Sequence, residues 1–247
     1  MPKELSKVSV LLVSLALLFS LTLMAGITGF GQGSTKDIPG DLLKAATGEP
    51  VSDNIINQGR FIDIVNSSLF FSEESSRLTL RVETREPIPS SSNDLLSYSF
   101  ILDLDGDKKT GFVGNRAPLG IFPELGIDLW LNYSLYKGER HGAGYLASPE
   151  IPQLKGRTTV VNFRFENDRK VLAAVVSVSQ VEKILSFIYG NFSSPWEIRP
   201  EEIKWTVFTS WAPLSKDNPI SDLSPETYYR SKRTGTILNP LVEKLEG

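Results

Sequence analysis

The sequence of 247 residues contains no cysteine and only one histidine, His141. The chain therefore has no disulfide, no iron–sulfur ligands and no thiol nucleophile, and it lacks the cysteine and histidine patterns that hold zinc. Its two methionines, Met1 and Met24, both lie in the N-terminal segment, which excludes a haem held by methionine and histidine. We expect a protein without haem and without zinc.

The chain has no large excess of charge of either sign, because it contains 26 Lys and Arg residues and 29 Asp and Glu residues, and its net charge is −3. Surfaces that bind nucleic acid are basic, so this balance argues against a nucleic-acid partner. Hydrophobic residues make up 40% of the chain, which is typical of a globular protein that builds its core without cross-links.

The N-terminal segment is the longest stretch without charge, because no charged residue lies between Lys7 and Lys36. Its apolar run, Val8–Phe30, is long enough for a helix of roughly 30 Å that spans a bilayer. Lysines before such a run indicate an uncleaved membrane anchor or a cleaved signal peptide, and a buried core helix is the third alternative. Both export alternatives predict an extracytoplasmic protein that meets the membrane through this segment.

Changes in composition divide the chain into four parts. Residues 1–30 are the predicted signal peptide or membrane anchor, and residues 31–53 are rich in Gly and Ser and predict a flexible spacer. Residues 54–213 carry strand-like patterns and predict a β-sandwich domain. Residues 214–247 are polar and interrupted by proline, and they predict an irregular C-terminal tail.

Apolar residues in the predicted domain recur with a period of two, which is typical of half-buried strands. Leu78, Leu80 and Val82, for example, alternate with Thr79 and Arg81. Further strands are predicted in FIDIV, SYSFILDLD, IDLWLNYSLY, TTVVNFRF, KVLAAVVSVS and IKWTVFTSW. Turns are predicted in GDKKTG, KGERHGAG and ENDRK, and the last is short enough to predict a hairpin.

One helix is predicted within the sandwich, over VEKILSFIY. It starts after Ser179 and ends at Gly190, and its apolar residues share one face at helical spacing. The predicted fold class is therefore all-β: an antiparallel β-sandwich of jelly-roll or immunoglobulin-like type, with one short helix, preceded by an N-terminal hydrophobic helix.

Three aspartates, Asp103, Asp105 and Asp107, follow one another at the end of a predicted strand. Carboxylates two residues apart along a turn can converge on a hard cation such as calcium, and Asp128 on a later strand is the predicted fourth ligand. The loop is not an EF-hand, because a lysine and a glycine stand where that loop needs its glycine and its bidentate glutamate. The alternative is a polar turn whose carboxylates cap backbone amides and protect a sheet edge.

The segment LDLDGDKKTGF, followed by the segment LGIDLWL, resembles a β-sandwich module of exported prokaryotic proteins, close to the DOMON-like and family-9 carbohydrate-binding modules. The resemblance covers roughly residues 54–213. It implies a sandwich in which the four aspartates lie near one edge. It also implies a ligand class, because some relatives bind sugars and others carry haem, which the positions of the methionines exclude here.

Trp130 and Tyr136 are the candidate ligand-binding residues, since the alternation places them on the same strand face as Asp128. Sugars stack their apolar ring faces on such aromatic side chains while their hydroxyls bond nearby carboxylates and amides. The alternative is that another part of the chain covers this face. Three sequons predict glycosylation at Asn66, Asn132 and Asn191.

Catalytic signals are weak. No G-x-S-x-G motif occurs, His141 lies in a predicted glycine-rich loop, and no pair of carboxylates is singled out by spacing. The sequence therefore predicts a noncatalytic cell-surface or secreted module that binds a ligand, favours carbohydrate as that ligand, and includes a structural calcium site. The alternatives are a structural envelope component, pilin-like or from a surface layer, and an enzyme whose site the sequence does not mark.

Overall fold

A computed structural model describes twelve stretches of the chain. The described residues are 33–37, 39–44, 50–106, 112–113, 126–146, 158–159, 161–188, 198, 202–213, 220–224, 229–230 and 237–238. The predicted leader, residues 1–30, lies outside them. Within these stretches, no helix combines the length and the apolar character that crossing a membrane requires.

The described residues form sixteen strands and two helices. The strands are β1 (Gly33–Lys36), β2 (Leu43–Lys44), β3 (Ile64–Ser72), β4 (Arg77–Thr84), β5 (Leu95–Asp103), β6 (Phe112–Val113), β7 (Gly126–Ile127), β8 (Leu129–Tyr136), β9 (Glu139–Leu146), β10 (Thr158–Thr159), β11 (Val161–Glu166), β12 (Val171–Ser177), β13 (Lys204–Ala212), β14 (Ile220–Ser224), β15 (Tyr229–Arg230) and β16 (Ile237–Leu238). The helices are α1 (Asp53–Gln58) and α2 (Val178–Ile188).

Two antiparallel sheets dominate the fold, as predicted. The smaller sheet has the strand order β1-β3-β4-β12-β11, and the larger sheet has the order β10-β9-β8-β5-β13-β14-β2. Their inner faces share one buried core, in which the ring of Tyr133 from β8 lies 5.5 Å from that of Phe163 and 5.4 Å from that of Phe165 on β11. The sheets therefore pack face to face as two layers.

The predicted alternation decides which side chains enter this core. On β4, Leu78, Leu80 and Val82 are fully buried, while Thr79 and Arg81 between them are half-buried on the outer face. Burying each such aliphatic side chain stabilises the fold by about 1.5–3 kcal/mol. A shift of one residue in register would turn the whole set outward, so the pairing is well specified.

The predicted hairpin and helix are both present. β11 and β12 pair directly across the turn formed by ENDRK, in which Asn167, Asp168 and Arg169 adopt positive φ angles. Arg169 stabilises this turn because its guanidinium stacks 3.8 Å from the centre of the Phe165 ring and its Nε donates to the carbonyl of Ile88. α2 follows β12 directly and begins at Val178, two residues earlier than predicted.

Both flanking segments contribute strands that the sequence did not predict. β1 and β2 come from the predicted spacer, and β14 comes from the predicted irregular tail. β1 pairs with β3 at one edge, and β14 lies between β13 and β2. These strands are short and largely polar, and they pair through backbone hydrogen bonds, which side-chain periodicity does not report.

β9 corrects a second expectation, because its residues were predicted as the glycine-rich turn KGERHGAG. Only Lys137 and Gly138 form the turn, and the strand begins at Glu139. Glycine is needed at position 142, since a Cβ there would lie 2.8 Å from Cδ2 of Phe163 in the opposite sheet. The glycine that suggested a loop therefore marks a close approach between the two layers.

We expect Gly142→Ala to destabilise the fold by about 1–3 kcal/mol, because the added methyl group must displace the Phe163 ring. Adding Phe163→Leu should recover part of this loss, since the smaller side chain leaves room. Urea denaturation of the two variants measures both effects. Ala143→Ser, on the other face of the same strand, is the control. Equal stability of Gly142→Ala and the native protein would contradict the close packing.

Candidate metal centre

Asp103 and Asp128 lie at the ends of two neighbouring strands, at the same end of the larger sheet. Asp103 is the last residue of β5, and Asp128 lies between β7 and β8. β5 and β8 are paired with Leu102 opposite Leu129, and the amide of Asp128 donates to the carbonyl of Leu102 at 2.9 Å. Strand pairing alone therefore brings together two aspartates that are 25 positions apart.

Asp105 completes a cluster of three carboxylates. One oxygen from each of Asp103, Asp105 and Asp128 lies within 4.8 Å of the others. Asp103 and Asp128 are fully buried, and Asp105 is half-buried on the turn that follows β5. The predicted ligand Asp107 lies outside the described residues, so its part in the cluster stays a prediction.

Each buried carboxylate has one oxygen that is bonded and one that is not. Asp128 Oδ2 accepts a hydrogen bond from the Leu104 amide at 2.8 Å, and Asp103 Oδ2 accepts one from the Gly126 amide at 3.1 Å. Asp103 Oδ1 and Asp128 Oδ1 are buried and have no hydrogen-bond partner in the described part of the chain. Burying such an oxygen unpaired costs free energy, and more if the group is charged.

Burial and mutual repulsion disfavour the simultaneous ionisation of the three carboxylates. Burial raises the pKa of Asp103 to about 6, and the charge of Asp105 adds to this rise, while the Gly126 amide and the Lys204 ammonium oppose it. Burial, again followed by the charge of Asp105, raises the pKa of Asp128 well above its ordinary value. A bound cation would favour the ionised forms and offset both the burial and the mutual repulsion.

A tight turn holds Asp105 beside the other two carboxylates. Gly106 adopts a φ of +69°, and a Cβ on this residue would lie 3.0 Å from the carbonyl oxygen of Glu202. The Lys204 Nζ donates to the Gly106 carbonyl at 2.8 Å. The turn is therefore fixed against the start of β13 by a close backbone approach and by a lysine.

Trp130 is close to this cluster in the sheet, and Tyr136 is not. Trp130 follows Asp128 by two residues on the same face, and Tyr136 lies six residues further along β8, about 20 Å away at the rise of a strand. The half-buried Trp130 ring packs edge-on against Phe208 at 6.1 Å. The Tyr136 ring instead contacts the Nζ of Lys137 at 5.1 Å. The two aromatic residues do not form one site.

The sequons and the histidine have defined surroundings. Asn66 Oδ1 accepts a hydrogen bond from Ser34 at 2.8 Å, and Asn132 Oδ1 accepts bonds from Ser97 and Ser99 at 2.5 and 2.9 Å. Asn191 lies outside the described residues, and glycosylation stays a prediction for all three. His141 lies on β9 rather than in a loop, with its side chain 59% exposed.

A second acidic cluster was not predicted. One oxygen from each of Asp41, Asp63 and Asp222 lies within 4.8 Å of the others. These residues come from three distant parts of the chain, so no spacing in the sequence marks them. This cluster contains a cation of the protein itself, because the Nη1 of Arg85 lies 3.3 Å from Asp63 Oδ2.

The second cluster ties β14 to the smaller sheet. Asp222 Oδ2 accepts a hydrogen bond from the Ile64 amide at 2.5 Å, and Asp63 Oδ1 accepts one from the Gly40 amide at 2.9 Å. Burial, followed by the charges of Asp41 and Asp37, raises the pKa of Asp222 well above its ordinary value. The cluster thus joins β14 of the larger sheet to β3 of the smaller sheet at an electrostatic cost.

No protein-family model matches the chain, and the search of the curated proteins finds no match.

We expect Asp222→Asn to change how stability depends on pH. Folded Asp222 keeps its proton above the pH at which the unfolded chain releases it, so this group makes stability fall as pH rises above about 4. Asn keeps an oxygen for the Ile64 amide and carries no charge. The variant should lose this fall and be more stable than the native protein at pH 7.

Urea denaturation at pH 4.5 and pH 7.5 measures this difference. Asp222→Ala is the matched control, because it removes both the charge and the acceptor of the Ile64 amide. We expect it to be less stable than Asp222→Asn at both pH values. A pH dependence in Asp222→Asn equal to that of the native protein would contradict the assignment.

Proposed function

We propose that the protein is a noncatalytic, extracytoplasmic β-sandwich module that binds one calcium ion through Asp103, Asp105 and Asp128 and binds a ligand on the adjoining sheet face. The observation that carries the calcium site is the pair of buried oxygens, Asp103 Oδ1 and Asp128 Oδ1, which have no hydrogen-bond partner among the described residues. A cation between them would satisfy both oxygens at once. The predicted leader, residues 1–30, would export the module.

Calcium fits this ligand set better than other metals. The three groups are carboxylates, which hard cations prefer, and no nitrogen or sulfur ligand accompanies them in the described cluster. Calcium accepts six to eight oxygens in flexible geometry, whereas magnesium requires a near-ideal octahedron and keeps several waters. A calcium ion bound here would join the end of β5 to the start of β8. We therefore propose that the ion has a structural role.

We expect calcium to raise the melting temperature of the full-length protein. At a hundredfold excess over Kd, the ion stabilises the folded state by about 2.7 kcal/mol, or roughly 5–10 °C for a domain of this size. Asp128→Asn should abolish the rise, because it keeps an acceptor for the Leu104 amide but removes the charge that binds the ion. Calorimetry with calcium and with a chelator measures the difference.

The chelated proteins provide a second readout. Without calcium, Asp128→Asn should melt no lower than the native protein, since it removes a buried charge. Asp53→Asn, on the exposed first turn of α1, is the control and should keep the full calcium response. A native protein whose midpoint is the same with calcium and with chelator would refute the site.

The proposed ligand face adjoins the metal centre and includes Trp130. The indole Nε1 of Trp130 and Oγ1 of Thr206 are buried without a hydrogen-bond partner in the described residues. Both residues lie opposite Ile101, one on each neighbouring strand, so their side chains share the outer face of the larger sheet. Of these two residues only Trp130 is half-buried rather than buried, so its ring is the surface that a ligand could contact.

Carbohydrate is the ligand class that we propose. A sugar offers an apolar ring face to the half-buried ring of Trp130. The resemblance to family-9 carbohydrate-binding modules supports the same class. Because Ile101, Thr206 and Phe208 are buried, the accessible contact is narrow and centres on the half-buried Trp130.

We expect Trp130→Ala to abolish glycan binding measured on an array, because it removes the stacking surface. Phe70→Ala is the matched control, since Phe70 is an exposed aromatic residue on the other sheet, and it should bind as the native protein does. An array that is negative throughout for the native protein, or binding that survives in Trp130→Ala, would reject this face as a sugar site.

A further inference from the structure

Lys204 is a fixed positive charge beside the metal centre. It is the first residue of β13 and lies directly opposite Asp103 on β5. Residues that face each other across an antiparallel pair project to the same side of the sheet, so the lysine and the aspartate share one face. The Nζ of Lys204 is held by the Gly106 carbonyl at 2.8 Å, one residue after Asp105.

We propose that Lys204 is the residue that limits the affinity of the centre for calcium and matches its charge to a divalent ion. This inference rests on the calcium site proposed above. Three carboxylates and one ammonium leave the described groups with a net charge of −2, which one divalent cation neutralises. Without the lysine, the same groups would carry −3 and would attract every cation more strongly.

Lys204 has two opposing effects on calcium affinity, and the larger effect decides whether the residue weakens or strengthens binding. Its repulsion of a bound ion weakens binding, whereas its hydrogen bond to Gly106 holds the turn that carries Asp105 and favours binding. The hydrogen bond joins two half-buried residues, so water can partly compensate its loss. The repulsion acts on two charges of the ion in a site with buried walls, so we expect it to dominate.

Lys204→Gln separates the two effects, because glutamine keeps an N–H donor and removes the charge. We expect calcium to bind about tenfold more tightly to Lys204→Gln than to the native protein. Repulsion grows with the charge of the ion, so trivalent terbium should gain about thirtyfold. Selectivity for terbium over calcium should therefore rise about threefold. Both gains should shrink as potassium chloride is added.

Isothermal titration calorimetry of the full-length chain with calcium, and then with terbium, measures these affinities. Lys204→Arg keeps the positive charge and should bind as the native protein does. Lys183→Gln, on the exposed surface of α2, removes the same charge elsewhere and should change nothing. Lys204→Met, which keeps the aliphatic stem, replaces the glutamine variant if that variant does not fold. Its expected tightening is smaller, because methionine also loses the hydrogen bond to Gly106.

The outcomes separate the two proposals. Tighter calcium binding in Lys204→Gln, with unchanged binding in Lys204→Arg and Lys183→Gln, supports the inference. Unchanged or weaker binding in the glutamine and methionine variants overturns it and leaves the calcium site in place. A native protein that binds neither calcium nor terbium overturns the calcium site itself and the role of Lys204 with it.

Discussion

The pairing of β5 with β8 on one side and with β13 on the other determines the chemistry of this molecule. One register places Asp103 next to Asp128 and another places it opposite Lys204. Because strand side chains alternate with a period of two, a slip of one residue would turn these groups to the opposite faces. The buried core beneath the three strands prevents such a slip, so core packing and the geometry of the candidate metal centre are specified together.

The two acidic clusters show two ways to keep carboxylates inside a sandwich. Around Asp63 and Asp222 the protein supplies its own guanidinium and several backbone amides. Around Asp103 and Asp128 it supplies backbone amides and the charge of Lys204, and it leaves one oxygen of each side chain without a hydrogen-bond partner within the described chain. These two buried oxygens are the reason that we propose an external cation at this cluster.

The sheet face beside the candidate metal centre contributes both to the stability of the fold and to the proposed binding of a ligand. Trp130 packs against Phe208 and is only half-buried, so the same side chain contributes to packing and leaves part of its surface accessible. A site of this kind needs a rigid support, and the central strands of a seven-stranded sheet provide one. An ion at the strand ends would stiffen that support further, which is how a structural metal would serve ligand binding without touching the ligand.

The sequence by itself determined the β-rich fold, the hairpin at ENDRK, the helix after β12 and the nearness of Asp103 to Asp105, because periodicity, turn chemistry and short spacing are local properties. The sequence also predicted that Asp128 joins Asp103, and strand pairing brings the two together. Tertiary structure alone decided the second cluster and the strands β9 and β14. These features depend on which strands pair and on which side chains approach from the opposite sheet, as Phe163 approaches Gly142. Such contacts join distant parts of the chain, so no local pattern of residues encodes them.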